Sequence, residues 1–372
     1  MKSKILFILH LAPPVHGASV VGSYIINSNL INAIFNTSYL NMSTAYNLND
    51  IGKTSWKKFL DIFKLYIQVV AYLINNKVDL CYLTINAKGP AWLKELVIVA
   101  ILKVFHIPVV YHYHNKGVSN NANTFWRKIL YKFQFKDTKS ILLSSLLEYD
   151  IAQFISKNDT YICSNGIPLS SDKFRLYHNH IENTFCQILF LSNLFKAKGV
   201  FVLLEACYLL KQKNIPFRCI FIGGEGDISA NEFDIIVQQL GLQNEVEFQG
   251  KKFDFEKEKA FAGADIFAFP TFYHNECFPI VNLEAMQYAI PIITTDEGAI
   301  PEAVIDGVNG FLVPKQNSKV LADKLEILIK DPDLRIKMGL AGKKIYEEKF
   351  TLEIFEKRIV EILQDCLNLK TN

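Results

Sequence analysis

Apolar runs of strand length alternate with helix-length amphipathic stretches along nearly the whole chain, and the alternation breaks once, in a polar, non-periodic stretch over 170–184. Such alternation constrains the fold strongly. Parallel strands cannot be joined by tight turns, so each needs a helical crossover, and the result is a parallel sheet covered by helices. Before the break the pattern predicts strands over 5–10, 80–84, 109–114 and 140–144, with helices over 19–31, 56–75, 91–105 and 125–135. After it, strands are predicted over 187–192, 218–223, 246–249, 265–269, 292–294 and 311–313. The intervening helices fall over 200–211, 231–240, 255–261 and 280–288, followed by three more over 318–329, 332–348 and 352–367.

Two runs of alternation in 372 residues, too long for one ordinary core, predict two domains. The expected division is 1–169, a linker over 170–184, a second domain over 185–348, and a closing helical segment over 349–372 that packs back toward the first domain. Each domain reads as a doubly wound α/β unit, which binds ligands beyond the carboxyl ends of its strands, so a cleft between two facing units is the expected site.

The composition fits a densely packed globular protein, with 50% hydrophobic and 21% charged residues. Seven cysteines are scattered with no C-x-x-C pair, which argues against a zinc site or a disulfide framework and points to a reducing, cytoplasmic setting. The apolar run over 5–9 is short, broken by His10 and followed by Pro13-Pro14, so it reads as a first strand and not a signal peptide. No uncharged apolar segment reaches the length of a membrane span. The net charge of +3 hides an asymmetry: residues 1–170 carry 17 Lys+Arg against 8 Asp+Glu, whereas the remainder carries 23 against 29. The first half is therefore expected to meet something anionic. The basic, aromatic helices over 56–75 and 125–135 suit an anionic membrane surface.

The residues that promise chemistry concentrate where the fourth strand of the second domain gives way to a helix. Glu276 falls in that loop and Glu284 lies about one and a half turns into the helix, with Pro279 placed at the helix start. Unpaired amides at that start favour a phosphate, and the two carboxylates suit sugar and ribose hydroxyls. Lys198 closes the loop after the 187–192 strand, just before a helix opening at Gly199, where a cation would neutralise a departing diphosphate. Gly17, in Pro13-Pro14-Val15-His16-Gly17, permits close approach of a ligand to the backbone. His112 and His114 share one face of their strand, opposite Tyr111 and Tyr113. No third metal ligand accompanies them, and Asp331-Pro332-Asp333 reads as a helix cap, so no metal is expected. The Gly223–Gly226 loop lacks the spacing of a dinucleotide fingerprint.

As a set, these motifs resemble the retaining glycosyltransferases of the family-4 type, which have the GT-B fold. The E-x(7)-E run, Lys198-Gly199, the 221–226 loop, Ser164-Asn165-Gly166-Ile167 and the 298–302 and 306–313 segments carry the resemblance, and the 13–19 loop is similar to that of capsule and surface-polysaccharide members. It implies catalytic roles for Glu276, Lys198 and His114, with His112 behind His114. It also implies donor contacts from Glu284, Gly17, Asn193, Gly224, Phe278 and Ile280. Asn193 stands where such enzymes usually carry an Arg, and Lys196 is a possible replacement for that cation. The expected activity is transfer of a sugar from a nucleoside-diphosphate sugar to a hydroxyl of a surface glycan or undecaprenyl-linked oligosaccharide. No cofactor, no metal and no nucleic acid are implied, and peripheral contact with the inner face of the plasma membrane is. A nucleotide-sugar 2-epimerase on the same fold, or a catalytically silent sugar-nucleotide-binding subunit, are the alternatives.

Overall fold

The computed structural model describes residues 2–13, 15–43, 56–170 and 185–368. The chain forms two compact units, one of Met1–Asn165 with Leu352–Asn372 and one of Gly166–Thr351. Each holds a six-stranded, all-parallel sheet.

In the first unit the strands are β1 (Lys4–Leu9), β2 (Asn36–Asn41), β3 (Leu80–Ile85), β4 (Val109–Tyr113), β5 (Lys139–Leu142) and β6 (Thr160–Ile162), in the order β2-β1-β3-β4-β5-β6. The central strands β1, β3 and β4 are buried almost throughout, as strands covered on both faces must be. Helices α1 (Gly17–Ile26) and α2 (Asn29–Ile34) connect β1 to β2, whereas α3 (Trp56–Asn75), α4 (Gly89–Val104), the short α5 (Val118–Asn121) and α6 (Phe125–Phe135) serve the strands running the other way. Right-handed crossovers then place α1 and α2 on one face of the sheet and α3, α4 and α6 side by side on the other.

The helix predicted over 19–31 is in fact two. It breaks at Asn27, and Ser28 caps α2 by accepting a hydrogen bond from the Ile31 amide at 3.2 Å. Strands β2 and β6 go beyond the predicted set. Both lie at sheet edges, are only part-buried, and lack the continuous apolar run that marks the central strands.

The second unit contains β7 (Cys186–Leu191), β8 (Phe217–Ile222), β9 (Val246–Phe248), β10 (Ile266–Phe269), β11 (Ile292–Thr294) and β12 (Gly310–Leu312) in the order β12-β11-β10-β7-β8-β9. Its helices are α7 (Val200–Gln212), α8 (Ala230–Gln239), α9 (Asp254–Ala262), α10 (Ile280–Gln287), α11 (Ile300–Ala303), α12 (Ser318–Lys330) and α13 (Pro332–Lys349). Asp331 caps α13 with Pro332 in the first position, the role predicted for that acidic triplet. Residues 166–169, assigned by sequence to the first domain, pack with the second unit: the Ile167 amide donates to the Phe350 carbonyl, and Tyr346 Oη donates to the Ile167 and Pro168 carbonyls. The linker expected over 170–184 lies outside the described residues apart from Ser170. The closing helix α14 (Leu352–Asn368) belongs to the first unit, where Tyr161 Oη donates to Asp365, Arg358 donates to the Ile162 carbonyl, and Phe355 lies 6.5 Å from the His112 ring.

Strand order decides where ligands can bind. Each sheet reverses direction once, between β1 and β3 in the first unit and between β7 and β10 in the second. The loops leaving these strand pairs diverge to opposite faces and leave a crevice between them.

Candidate functional site

At the reversal point of the second sheet, the loops after β7 and β10 are laced together. The Phe272 amide donates to the Ala197 carbonyl at 2.8 Å, and the Thr271 hydroxyl reaches the same oxygen at 3.4 Å. Gly199 makes this approach possible. Its φ is +89°, and a Cβ there would stand 2.2 Å from the Pro270 carbonyl oxygen, so any larger residue would force the loops apart. The lacing brings Lys198 Nζ onto the carboxylate of Glu276 as a hydrogen-bonded ion pair. The ammonium also lies 4.8 Å from the Tyr273 ring centroid and 5.4 Å from that of Phe269, so it is boxed by one carboxylate and two aromatic faces. The side chains of Lys198 and Glu276 are 17% and 12% exposed, sheltered yet reachable.

Helices α7 and α10 begin beside this pair, and neither has a side chain capping its first turn. Their leading amides therefore retain donor capacity and the positive end of the helix dipole, the ingredients of an anion seat. α10 begins at Ile280, where the helix over 280–288 was expected, and Pro279 is its cap residue and not its first helical one. The Phe278 ring is buried in the core, 5.3 Å from Phe350. Buried polar atoms without partners among the described residues gather around the same loop: Asn275 Oδ1, both amide atoms of Asn282, and Glu302 Oε2. Buried polar groups are normally satisfied, so a cluster of orphans marks a place fit for a polar ligand.

Glu284 does not pair with Lys198. Its Oε1 accepts from Lys257 Nζ of α9 at 2.5 Å, with the carboxylate 17% exposed. Burial pushes the carboxyl above the usual glutamate range; Lys257 opposes that rise and the charge of Glu258 adds to it. The partner of Glu284 was not legible in the sequence, because it sits on a different helix and nothing local links the two.

Asn193 and Gly224 come together, but not as two free donor contacts. Asn193 Oδ1 accepts from the Gly224 amide at 2.9 Å, so the carboxamide braces the glycine loop against the β7 loop. That loop also needs Gly223, where a Cβ would lie 1.9 Å from the Ser192 carbonyl oxygen. Lys196, the possible replacement for the usual Arg cation, points to Glu232 at 3.9 Å and to the Phe201 ring. Lys251, unremarked in the sequence, lays its stem over Gly224: a Cβ on that glycine would meet Lys251 Cε at 2.3 Å and Nζ at 3.3 Å.

The first unit's reversal point is built from histidines. His10, at the end of β1, lies 3.3 Å from Asn86 Nδ2 at the end of β3 and 3.6 Å from the fully buried Glu95 carboxylate. Glu95 accepts from both the backbone and side-chain amides of Asn86 at 2.6 Å. His16 caps α1 by accepting from the Ser19 amide at 3.3 Å, and its ring is 6.0 Å from that of His10. His112 and His114 do share a face, with ring centroids 4.2 Å apart, and His112 Nδ1 meets the Tyr82 hydroxyl. Burial first, then the neighbouring imidazoles, lowers His114 to about 3 and His16 to about 4, so both are neutral hydrogen-bonding groups near pH 7. His112 is likewise held well below the ordinary histidine range. At Gly17 a Cβ would meet nothing within 4 Å. The fold itself does not demand a glycine there, and the open space is available to a ligand. Among the described residues no group of three or more His, Cys, Asp and Glu side chains is arranged to hold a metal ion.

Residues 178–345 match the family described as Glycosyl transferases group 1. The chain is 29% identical over 201 residues to the capsular polysaccharide biosynthesis glycosyltransferase CapM of Staphylococcus aureus, a match covering 51% of this chain and 50% of CapM. It is 28% identical over 200 residues to the amylovoran biosynthesis glycosyltransferase AmsK of Erwinia amylovora, covering 53% of this chain and 49% of AmsK. The chain thus spans about half the length of the curated relatives it matches. In three dimensions it is similar to Anabaena Alr3699/HepE, solved with UDP and glucose, with a TM-score of 0.73 and 20% identity over 97% of this chain and 99% of that one. That likeness is one of fold, the GT-B class of two Rossmann-like, doubly wound units.

Proposed function

We propose that this chain is a glycosyltransferase that moves a sugar from a nucleoside-diphosphate sugar to a hydroxyl of a surface polysaccharide or its lipid-linked precursor. The observation that carries the reading is the Lys198–Glu276 pair, held at the reversal point of the second sheet between two uncapped helix starts. The resemblance to group 1 glycosyltransferases over the second unit supports it, as do the polysaccharide-biosynthesis names of the relatives.

In this proposal the diphosphate sits on the first-turn amides of α7 and on Lys198, and Glu284 accepts the ribose hydroxyls. Glu276 positions Lys198 and the transferred sugar. Lys251 supplies the cation that Asn193 does not. Transfer retains the anomeric configuration: the acceptor oxygen bonds to the anomeric carbon on the face that the diphosphate leaves. The bond from that carbon to the diphosphate oxygen breaks, and the acceptor proton passes to the departing diphosphate. Lys198 and the helix amides stabilise the charge that grows there, which is where electrostatic preorganisation is most effective. The first unit takes the acceptor, with His114 a neutral partner for a sugar hydroxyl. The reaction needs no metal ion, and the acceptor is held at the inner face of the plasma membrane.

The test is nucleotide release from UDP-, GDP- and ADP-sugars by the purified protein with a soluble acceptor, with the product anomer read by NMR. Activity that survives EDTA and a product of unchanged anomeric configuration are expected. Inversion at the anomeric carbon would overturn the mechanism, and donor that is never consumed would overturn the enzyme.

A further inference from the structure

Helices α3, α4 and α6 lie side by side on one face of the first sheet, and side-chain contacts tie them into one surface. Tyr66 Oη donates to the Lys94 carbonyl at 2.9 Å, Trp92 stacks on Tyr131 at 4.2 Å, and Lys103 donates to the Lys136 carbonyl with its ammonium 5.5 Å from the Phe133 ring. The outward side of this layer is apolar to an unusual degree. On α3, Trp56, Phe59, Phe63 and Ile67 are 85%, 63%, 56% and 53% exposed; on α6, Phe125 and Trp126 are 72% and 73% exposed. Their spacing on α3 makes a stripe along one side of the helix. The opposite layer differs: α1, α2 and α14 carry no exposed large apolar side chain among the described residues. Scattered surface leucines need no explanation, but large exposed rings on two of these three helices, with Leu93 and Val97 exposed on α4 as well, do.

Charge selects what covers that face. Alongside the rings, Lys64, Arg127, Lys128 and Lys132 are exposed, whereas the three helices contain only two acidic residues, Asp61 and the fully buried Glu95. Aromatic side chains flanked by lysine and arginine match the depth profile of an anionic bilayer surface, with rings at the acyl boundary and cations among the headgroups. A second copy of this chain would set these like charges against each other. Among the described residues no helix is long and apolar enough to cross a membrane, so the contact is one of lying on the surface.

We infer that the α3–α4–α6 layer docks on an anionic phospholipid bilayer by inserting the α3 and α6 aromatic side chains. This deepens the proposed reading of an acceptor held at the membrane and rests on it. The experiment is co-sedimentation with vesicles of phosphatidylglycerol and phosphatidylethanolamine, against vesicles of phosphatidylcholine alone. The wild type is expected to partition at least tenfold better onto the anionic vesicles, with the preference falling as salt rises. Phe63→Asp with Trp126→Asp is expected to lower partitioning at least tenfold, and Lys128→Glu with Lys132→Glu to abolish the preference for anionic lipid. All these positions are exposed, so unchanged thermal melting is expected. Nucleotide release with a soluble acceptor is also expected to be unchanged, which separates the two claims. Loss of enzyme activity from every preparation would sink the transferase and leave vesicle binding standing. Equal binding of wild type and aromatic variant, equal binding to neutral and anionic vesicles, or a wild-type dimer that either variant converts to monomer would overturn the docking surface.

Discussion

The two reversal points occupy equivalent places in their sheets yet are made of opposite materials. That of the second unit is ionised, with Lys198 on Glu276 and Lys257 on Glu284. That of the first is a group of imidazoles and amides around one buried carboxylate, with His16 and His114 too poor as bases to charge near neutral pH. A diphosphate needs cations and helix amides, whereas a sugar hydroxyl is best met by neutral groups that can both donate and accept. In the proposed reading, one fold used twice serves two chemistries through different residues at its strand ends and the loops after them.

The comparison breaks most visibly at Lys198. Lys198→Ala is expected to slow nucleotide release by about 10²–10³-fold, the scale of losing one group that stabilises developing charge. A loss of only a few-fold would move the diphosphate seat elsewhere. Removing Lys198 also leaves Glu276 without its ion-pair partner, so melting should fall, by about 1–3 kcal/mol in stability since the pair is sheltered but not fully buried.

Glu284→Gln comes next, with donor affinity down roughly 10–100-fold by calorimetry, the worth of hydrogen bonds to a charged acceptor. Its raised pKa fixes a sign. If, as proposed, donor binding uses the carboxylate, then on acidification affinity should begin to fall at a higher pH than an ordinary glutamate would give, and Lys257→Ala should move that point higher still. The folded state also holds the proton more tightly than the unfolded chain, so the ionised group subtracts from stability above its folded pKa. Glu284→Gln should then leave melting at neutral pH unchanged or slightly higher. A lower acid-side inflection in Lys257→Ala would contradict this account.

A smaller effect sharpens the neutral half. His114→Asn should weaken turnover by about tenfold, the loss of one hydrogen bond, without altering the shape of the pH profile between roughly 5 and 8, because the imidazole titrates at about 3. Should an inflection near neutrality vanish in that variant, the imidazole is a proton carrier. The smallest change is expected at Lys251→Ala, about three- to fivefold in KM for the donor with kcat nearly unaffected, the scale of a single exposed charge, and less at high salt.

What the sequence made legible follows from how local each signal is. The doubly wound architecture was readable because β1, β3 and β4 are buried on both faces and must be continuous apolar runs. The edge strands β2 and β6, covered incompletely, carry no such mark. Glu276, Glu284 and Lys198 stood out through their place at strand ends and helix starts. Their partners did not, since Lys198 and Glu276 meet only because Gly199 lets two loops close, and Lys257 reaches Glu284 from another helix. Asn193 could be seen as a missing cation, but its use as a brace for Gly224 depends on a contact across two loops. The link between His10, Asn86 and Glu95 is likewise invisible until β1 and β3 are placed side by side.

The membership of α14 in the first unit has a consequence for dissecting the chain. Because Phe355 lies by the His112 ring and Asp365 receives the Tyr161 hydroxyl, the second unit is threaded into the first as an insertion. Expression of residues 1–165 alone would remove the Phe355 ring from beside His112, whereas fusing that segment to 352–372 through a short tether would restore it. Shortening the tail should accordingly disturb the unit farther away along the chain and spare the nearer one.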